Sequence, residues 1–319
     1  MRKIYYGIIP CVCAALNLWI CKKISASAHE VLWKAVMMCA AMDVLVLFCF
    51  IKRERLLELP KSLFRNKGIL WSLACNDFRS RFAGSYLGIV WAFVQPTVTV
   101  LLYWFVFQVG IRSRDVSDYP FILYLMCGLI PWFYFQEALN GGTNSLLEYS
   151  YLVKKVVFQI DILPAIKITS SIFVHLFFVA FVTLICCLYG YYPSAYALQI
   201  VYYIVCSCSL LIGLCYVTSA CALFFRDITQ IVAVALSVGT WVTPIMWNPV
   251  ASMPLVAQTL LKINPVYYIV DGFRDALLAK VWFWDKPVWT AWFWIFTIAA
   301  YYLGTSVFYK LKPHFADML

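Results

Sequence analysis

A charged amphipathic segment runs directly into a long apolar stretch within residues 69–109, and this junction limits the possible folds more than any other feature. Read as a helix, the segment puts Trp71 and Phe78 on one face and Asn76 and Arg79 on the other. The stretch that follows carries no formal charge and is long enough to cross a bilayer. The pattern predicts a helix lying on a membrane surface and joined to a membrane span; a plain interfacial anchor is the alternative.

The composition predicts an all-α polytopic membrane protein. Hydrophobic residues make up 64% of the chain and charged residues 13%, which is far from the balance of a soluble domain. Beyond an N-terminal hairpin, apolar runs predict six spans: Tyr86 to Val109, Phe121 to Leu146, Pro164 to Tyr189, Leu198 to Phe225, Ile228 to Trp247 and Pro287 to Tyr309.

The basic residues predict the orientation and the domain boundaries. Residues 1–51 are predicted to form a two-helix transmembrane hairpin, and residues 52–68 a basic linker. Six Lys and Arg residues in that linker place it in the cytoplasm by the positive-inside rule. Residues 69–319 then form the main transmembrane domain of a multi-pass cell-membrane protein, with both termini cytoplasmic.

The connection from Asn248 to Lys286 is too long for a tight turn and too apolar for a free loop. Pro249, Pro254 and Pro265 are expected to break it into short helices. Such a piece is predicted to dip back into the outer leaflet, where its broken ends need protein cover or a wet cavity. A static cap on the helix bundle is the alternative.

Nothing in the sequence predicts catalysis or a metal site. The chain contains no phosphate-binding GxxxxGK[ST] motif, and its three histidines are widely dispersed. Any energy for transport is therefore expected to come from another chain. Aromatic residues form 18% of the sequence, and an aromatic-lined path suits an amphiphilic glycolipid better than an ion. A membrane-embedded glycolipid transferase and an independent channel or carrier remain alternative function classes.

From Ile69 onward the chain resembles the membrane subunits of ABC-2-type exporters of cell-surface polysaccharides. The resemblance rests on short motifs in a shared order: Tyr86-Leu87-Gly88-Ile89-Val90-Trp91 with Gln95-Pro96, Gly128-Leu129-Ile130-Pro131-Trp132-Phe133, Asn144-Ser145, Phe158 with Ile162-Leu163-Pro164, Phe225-Arg226-Asp227, Thr243-Pro244-Ile245, and Asn264-Pro265-Val266-Tyr267-Tyr268 with Gly272-Phe273-Arg274. Within that family the aromatic stretches look most like the teichoic acid translocation permeases. The N-terminal hairpin is not in the family's usual pattern.

The resemblance implies a homodimer paired with two copies of a separate ATPase, which binds ATP and Mg while this chain binds no cofactor. The complex would move an undecaprenyl-diphosphate-linked polymer from the cytoplasmic to the outer leaflet, with teichoic acid favoured and O-antigen or capsule polysaccharide as the alternative. The site residues predicted on this basis are Asp77, Arg79, Arg81, Tyr151, Lys154, Lys155, Phe158 and Asp161 for ATPase coupling, Pro249, Pro254, Asn264 and Pro265 for an outer gate, and Tyr103, Phe107, Trp132 and Tyr134 for the wall of the path.

Overall fold

A computed structural model describes residues 40, 43–44, 46–49, 51–81, 83–110, 119–153, 159–247 and 253–318. Nearly all of these residues are helical, and no β-strand occurs among them, which confirms the all-α class. The longer α-helices are α1 (Arg53–Arg65), α2 (Lys67–Ser80), α3 (Trp91–Trp104), α4 (Phe121–Glu148), α5 (Leu163–Leu188), α6 (Gln199–Phe224), α7 (Asp227–Val242), α8 (Leu255–Ile263), α9 (Pro265–Arg274) and α10 (Pro287–Leu311), and a single helical turn, Ser150–Val153, follows α4.

Five helical stretches are long and apolar enough to cross a membrane, which confirms a polytopic membrane protein. They are Gly88–Gly110, Phe121–Glu148, Ile160–Leu188, Ala195–Phe224 and Pro287–His314. The sixth expected span, Ile228 to Trp247, corresponds to the shorter helix α7, whose 16 residues rise about 24 Å. α7 ends because Pro244 disfavours helical geometry at Thr243, where ψ is 124°.

Helix α4 is the centre of the bundle. It packs against α5, α6, α7 and α9, and most of its side chains are buried. Helix α3, in contrast, has few buried side chains and leaves most of its surface open. The protein therefore presents α3 to lipid or to another chain, while α4 carries the core.

Two glycines allow α6 and α10 to cross with their backbones in contact. A Cβ atom on Gly213 would lie 2.7 Å from the backbone nitrogen of Tyr301, and one on Gly304 would collide with the Gly213 carbonyl oxygen. The hydrophobic effect is weak between helices in lipid. Small residues at a helix crossing allow close van der Waals packing, which stabilises the association instead.

Residues 52–68, expected to be a linker, are a packed helix over most of their length. The apolar residues Leu56, Leu59 and Leu63 recur on one face of α1, and Leu59 is fully buried. The hydroxyl of Tyr301 on α10 donates to the Leu56 carbonyl oxygen at 3.0 Å. The predicted linker is therefore helical over most of its length, because its apolar face finds a surface on α10.

Only part of the N-terminal hairpin can be compared with the structure. Its first span, residues 4–21, lies outside the described residues. Near the end of the second span, residues 46–49 are helical, and the Phe48 ring packs edge-on against Tyr302 with centroids 4.9 Å apart. The Lys52 nitrogen also donates to the Phe48 carbonyl oxygen at 2.9 Å, so the backbone hydrogen bonding continues towards α1.

The predicted short helices of the outer segment are present as α8 and α9. Pro254 directly precedes α8, and Asn264 separates the two helices. The Asn264 side chain caps α9 by accepting from the Val266 nitrogen at 3.0 Å, and it donates to the Thr243 hydroxyl at 2.9 Å. Pro249 lies outside the described residues, and the depth of this segment in the membrane stays a prediction.

The close crossing of α6 and α10 predicts that Gly304→Ala prevents correct packing. The added methyl group has to displace backbone atoms, and overpacking of this kind costs about 1–3 kcal/mol or more. Gly68→Ala is the matched control, because no atom lies within 4 Å of its added Cβ. We expect Gly304→Ala to lower the thermal unfolding midpoint in detergent and Gly68→Ala to leave it unchanged or raised. Equal midpoints for the two variants would contradict the close crossing.

Candidate functional site

A cavity of about 570 Å³ lies between α3, α4, α5 and α7. Aromatic, amide and hydroxyl side chains dominate its lining, and Glu137 is the only charged residue there among the described residues. The lining comprises Trp91, Ala92, Gln95, Pro96, Thr99, Tyr103, Trp132, Phe133, Gln136, Glu137, Asn140, Val174, Ser237, Thr240 and Trp241. Apolar faces combined with a few neutral hydrogen-bonding groups suit a ligand that is rich in hydroxyl groups.

The structure separates the four residues predicted to line a path. Tyr103 and Trp132 both border this cavity. Tyr134 points instead into the core, where it is 2% exposed and stacks on His175 with centroids 4.7 Å apart. Phe107 packs near Phe121, 6.0 Å between centroids. Tyr134 and Phe107 thus do not border this cavity, and their place in the wall of a path stays a prediction, because sequence alone does not show which helix face is turned inwards.

Trp132 separates the large cavity from a smaller one of about 200 Å³ that reaches Thr243 and Asn264. Its indole nitrogen donates to the Thr240 hydroxyl on α7 at 3.1 Å. A Cβ on Gly239 would lie 2.8 Å from the Trp132 ring, so α7 approaches the ring closely only because this residue is glycine. The Trp132 side chain thus stands between the central cavity and the short helices α8 and α9.

A buried ionic network joins α2 to α4 and α5. The Asp77 side chain is 4% exposed and accepts from the Lys167 ammonium at 2.6 Å, the Tyr149 hydroxyl at 2.9 Å and the Ser170 hydroxyl at 2.6 Å. The Arg81 guanidinium binds the same carboxylate at 2.9 Å and 3.1 Å. An unpaired charge at this depth would be expensive, so the partners hold the helices together.

The partners also set the protonation state of Asp77. Burial alone raises the pKa of this carboxyl group, but the hydrogen bonds from Lys167 and Ser170 and the charge of Arg81 outweigh it, so the pKa lies below its ordinary value. Because the pKa is depressed, the network stabilises the fold above the ordinary carboxylate pKa. That contribution is lost as the pH falls through the depressed value.

The network extends to the central cavity through Glu137. Arg81 forms an ion pair with Glu137, which lines the cavity and also accepts from the Ser171 hydroxyl at 3.1 Å. On the other side, Lys167 binds Glu148 at 2.5 Å. A continuous series of side-chain contacts thus links α2 through Arg81 to the cavity wall.

The residues predicted to couple to an ATPase fall into two groups. Arg79 and Tyr151 are exposed, as an interaction surface requires. Asp77 and Arg81 are held inside the network instead, where acidic partners on α2 and α4 hold the Arg81 guanidinium. Contact of any of these residues with an ATPase stays a prediction. Lys154, Lys155 and Phe158 lie outside the described residues.

Asp161 is buried and acts as a structural centre. Its carboxylate binds the Lys312 ammonium at 2.5 Å and accepts from the Ser62 hydroxyl at 3.3 Å, while its carbonyl oxygen accepts from Tyr216. The neighbouring Gln159 accepts from Asn66 at 2.8 Å. These contacts fasten the segment before α5 to α1, so Asp161 can affect a partner only through its neighbours.

A second buried charge, missed by sequence reasoning, organises the opposite end of α4. Arg274 is 5% exposed and donates to the carbonyl oxygens of Tyr124, Pro244 and Ile245 at 3.3, 3.0 and 2.8 Å. Its guanidinium also lies 3.6 Å from the centre of the Tyr124 ring, in cation–π geometry. A Cβ on Gly128 would lie 2.7 Å from this guanidinium. Three separate sequence motifs that contain these residues thus meet at one point.

The comparisons with known proteins agree with this architecture. Residues 69–278 match the ABC-2 type transporter family, and the chain belongs to that family. It is similar to the O-antigen export system permease protein RfbA of Myxococcus xanthus, with 24% identity over 220 residues that cover 69% of this chain and 84% of the relative.

Two further relatives show similar agreement. The O-antigen export system permease protein RfbA of Klebsiella pneumoniae is 23% identical over 259 residues, covering 80% of this chain and 97% of the relative. The polysialic acid transport protein KpsM of Escherichia coli is 24% identical over 212 residues, covering 65% and 80%. The matched region begins in α2 and contains every helix that lines the central cavity.

The network predicts that two neighbouring arginines respond differently to charge reversal. Arg81→Glu places a third carboxylate beside Asp77 and Glu137 and should lower the thermal unfolding midpoint strongly, because removing one partner of a buried pair costs about 3–5 kcal/mol. Arg79→Glu is the matched variant on the exposed face and should leave the midpoint unchanged. A midpoint lowered equally in both would show that the network does not hold α2 in place.

The position of Arg274 predicts that neither Arg274→Met nor Arg274→Lys preserves stability. Methionine leaves buried carbonyl oxygens unsatisfied, at about 1–3 kcal/mol each, and one ammonium group cannot reproduce the planar fork that reaches all three. Arg226→Met, at an exposed position, is the control. Thermal unfolding in detergent measures the effect, and full stability of Arg274→Lys would contradict the role given to the guanidinium.

Proposed function

We propose that the chain is the permease subunit of an ABC exporter that moves a lipid-linked polysaccharide of the O-antigen or capsule type across the cell membrane. The observation that carries this proposal is the central cavity, where aromatic faces and neutral amides lie together in the wall. Such a lining binds sugar rings without strong charges. The polymer would be carried on undecaprenyl diphosphate.

The relatives favour the O-antigen or capsule alternative over teichoic acid. The similar proteins reported above are named as O-antigen or polysialic acid exporters. Of the aromatic stretch at residues 103–107, Tyr103 alone borders the central cavity, and one aromatic ring does not select teichoic acid over another glycan. The identity of the sugar therefore has to be settled by experiment.

A second copy of the chain would complete the path. Helix α3 borders the cavity, yet it exposes a row of apolar side chains on its outer surface: Val98, Leu101 and Leu102 are each more than half exposed. Helix α7 likewise exposes Ile231, Val234 and Val238. A homodimer formed through these faces would enclose the space between two cavities and admit a polymer too large for one chain. That α7 crosses the membrane as a sixth span is part of this proposal.

Energy would come from a separate ATP-binding subunit, present in two copies, that binds ATP and Mg. Arg79 and Tyr151 offer exposed contacts for it, and the network from Asp77 through Arg81 to Glu137 gives a mechanical route to the cavity. This route favours a coupling helix over a plain interfacial anchor, because an anchor needs no buried ionic link to the core. In this proposal α8 and α9 form the outer gate above Trp132.

Depletion of the protein in its own cell tests the proposal. We expect a lipid-linked glycan without phosphate in its repeat to accumulate on the cytoplasmic side, as measured by extraction and mass spectrometry. A phosphate-rich polyol polymer would restore the teichoic acid alternative. If no lipid-linked polymer accumulates, the export function proposed here is wrong.

The cavity predicts a specific effect of Tyr103. Tyr103→Ala removes a ring from the wall and should reduce the initial export rate about two- to tenfold, because one aromatic contact is worth about 0.5–1.5 kcal/mol. Tyr103→Phe keeps the ring and should retain most of the activity. Tyr192→Ala removes a tyrosine that is 70% exposed outside the cavity and serves as the control. Normal export by the Tyr103→Ala variant would show that this cavity is not part of the export path.

A further inference from the structure

A separate cavity, of about 440 Å³, lies between α1 and the last two turns of α10. Its described lining consists of Arg55 and Glu58 from α1 and Thr305, Ser306, Tyr309 and Lys310 from α10. None of these residues lies in the range that matches the ABC-2 family, and none borders the central cavity. The site is formed by α1, which precedes the matched range, and by the last spanning helix α10.

Two cations of this cavity are available to a ligand. Arg55 and Lys310 are exposed, and neither forms an ion pair with another residue in the part of the chain that the structure describes. Lys312, two residues further along, differs because Asp161 holds its ammonium group at 2.5 Å. The only acid in the described lining is Glu58, so the cavity carries a net positive charge.

The hydroxyl groups in the cavity wall, like its net positive charge, favour a ligand with acceptor oxygens. The Ser306 oxygen is buried and has no hydrogen-bond partner among the described residues, whereas Thr305 donates to the Tyr301 carbonyl oxygen at 2.8 Å. Buried hydroxyl groups nearly always have a partner. A ligand with acceptor oxygens between Arg55 and Lys310 would supply one to Ser306.

The position of the cavity selects a lipid. Helix α10 belongs to one of the five spanning-length stretches, and Lys310 lies in its last turn. About two turns earlier, Leu303 is 57% exposed on a surface that lies within the apolar part of the helix. The cavity therefore lies where a membrane changes from hydrocarbon to water. Basic pockets at this level bind lipid headgroups, and guanidinium groups pair with phosphate oxygens in a fork.

We propose that this cavity binds the phosphodiester headgroup of a membrane phospholipid. Arg55 and Lys310 contact the phosphate oxygens, Ser306 donates a further hydrogen bond, and Glu58 accepts from the ammonium or hydroxyl group at the end of the headgroup. The lipid would thereby join α1 to α10 and fasten the N-terminal addition to the transmembrane domain. This role does not depend on which polymer is exported.

Lipid titration of the purified full-length chain tests the proposal. Delipidated protein in detergent is mixed with phosphatidylglycerol or phosphatidylethanolamine, and bound lipid is counted by native mass spectrometry while the thermal unfolding midpoint is recorded. We expect retained lipid and a raised midpoint for the unaltered chain. Arg55→Gln with Lys310→Gln should weaken binding about tenfold or more, because each cation near the surface contributes about 1 kcal/mol.

The control removes the same charge from another place on this end of the protein. Lys61→Gln with Lys67→Gln alters two exposed lysines that do not line the cavity, and binding should stay unchanged. Ser306→Ala keeps both cations and should weaken binding about two- to tenfold, the range for one hydrogen bond. Ser306→Ala also serves as the second test if the double glutamine variant does not fold.

Three results would overturn the assignment. Equal weakening in the Lys61 and Lys67 control would show attraction to charge without a site. If inorganic phosphate at the same concentration raises the thermal unfolding midpoint as much as the phospholipid does, the lipid is unnecessary. Tighter binding of undecaprenyl phosphate than of either phospholipid would identify the ligand as a carrier lipid instead. Each result leaves the export proposal untouched, because that proposal is tested by polymer accumulation in cells.

Discussion

The Asp77 carboxylate is buried in an apolar protein, and this charge has to be neutralised by groups from three different parts of the chain. Lys167 on α5, Tyr149 after α4 and Arg81 after α2 meet because each satisfies part of that requirement. Once they have met, the surface helix α2 is fixed to the two most closely packed helices of the bundle. Arg81 also forms an ion pair with Glu137, which links the wall of the central cavity to the same network.

Arg274 imposes a comparable constraint at the other end of α4. Its guanidinium gathers three carbonyl oxygens, two of them from the segment that follows α7. Because α7 stops before Pro244, these carbonyl oxygens have no helical partners and need another donor. The two buried charges thus hold the ends of a helix bundle whose middle is apolar. Between them lie the central cavity and Trp132, which faces the gap towards α8 and α9.

Sequence reasoning identified the helices that form the candidate site more accurately than the individual residues that line it. Tyr103 and Trp132 were predicted to line a path and do border the cavity, whereas Tyr134, two residues after Trp132, points into the core. Two residues of helix turn a side chain through about 200°, to the opposite face, and the apolar residues around Trp132 and Tyr134 do not show which of the two faces is turned towards the cavity. The amides Gln95, Gln136 and Asn140 would have been a better signal, because neutral polar groups inside apolar helices need partners.

The sequence by itself determined that the protein is helical, spans a membrane several times and breaks its outer segment at Pro254 and Pro265, because hydrocarbon tolerates only backbones that satisfy their own hydrogen bonds. It also carried the motifs of an ABC-2 family member. Only the tertiary structure decided that α1 packs against α10, that Asp77 and Arg81 belong to one ionic network, and that Arg55 and Lys310 line the same cavity. Those outcomes depend on which residues, distant in sequence, become neighbours, and local periodicity contains no information about such neighbours.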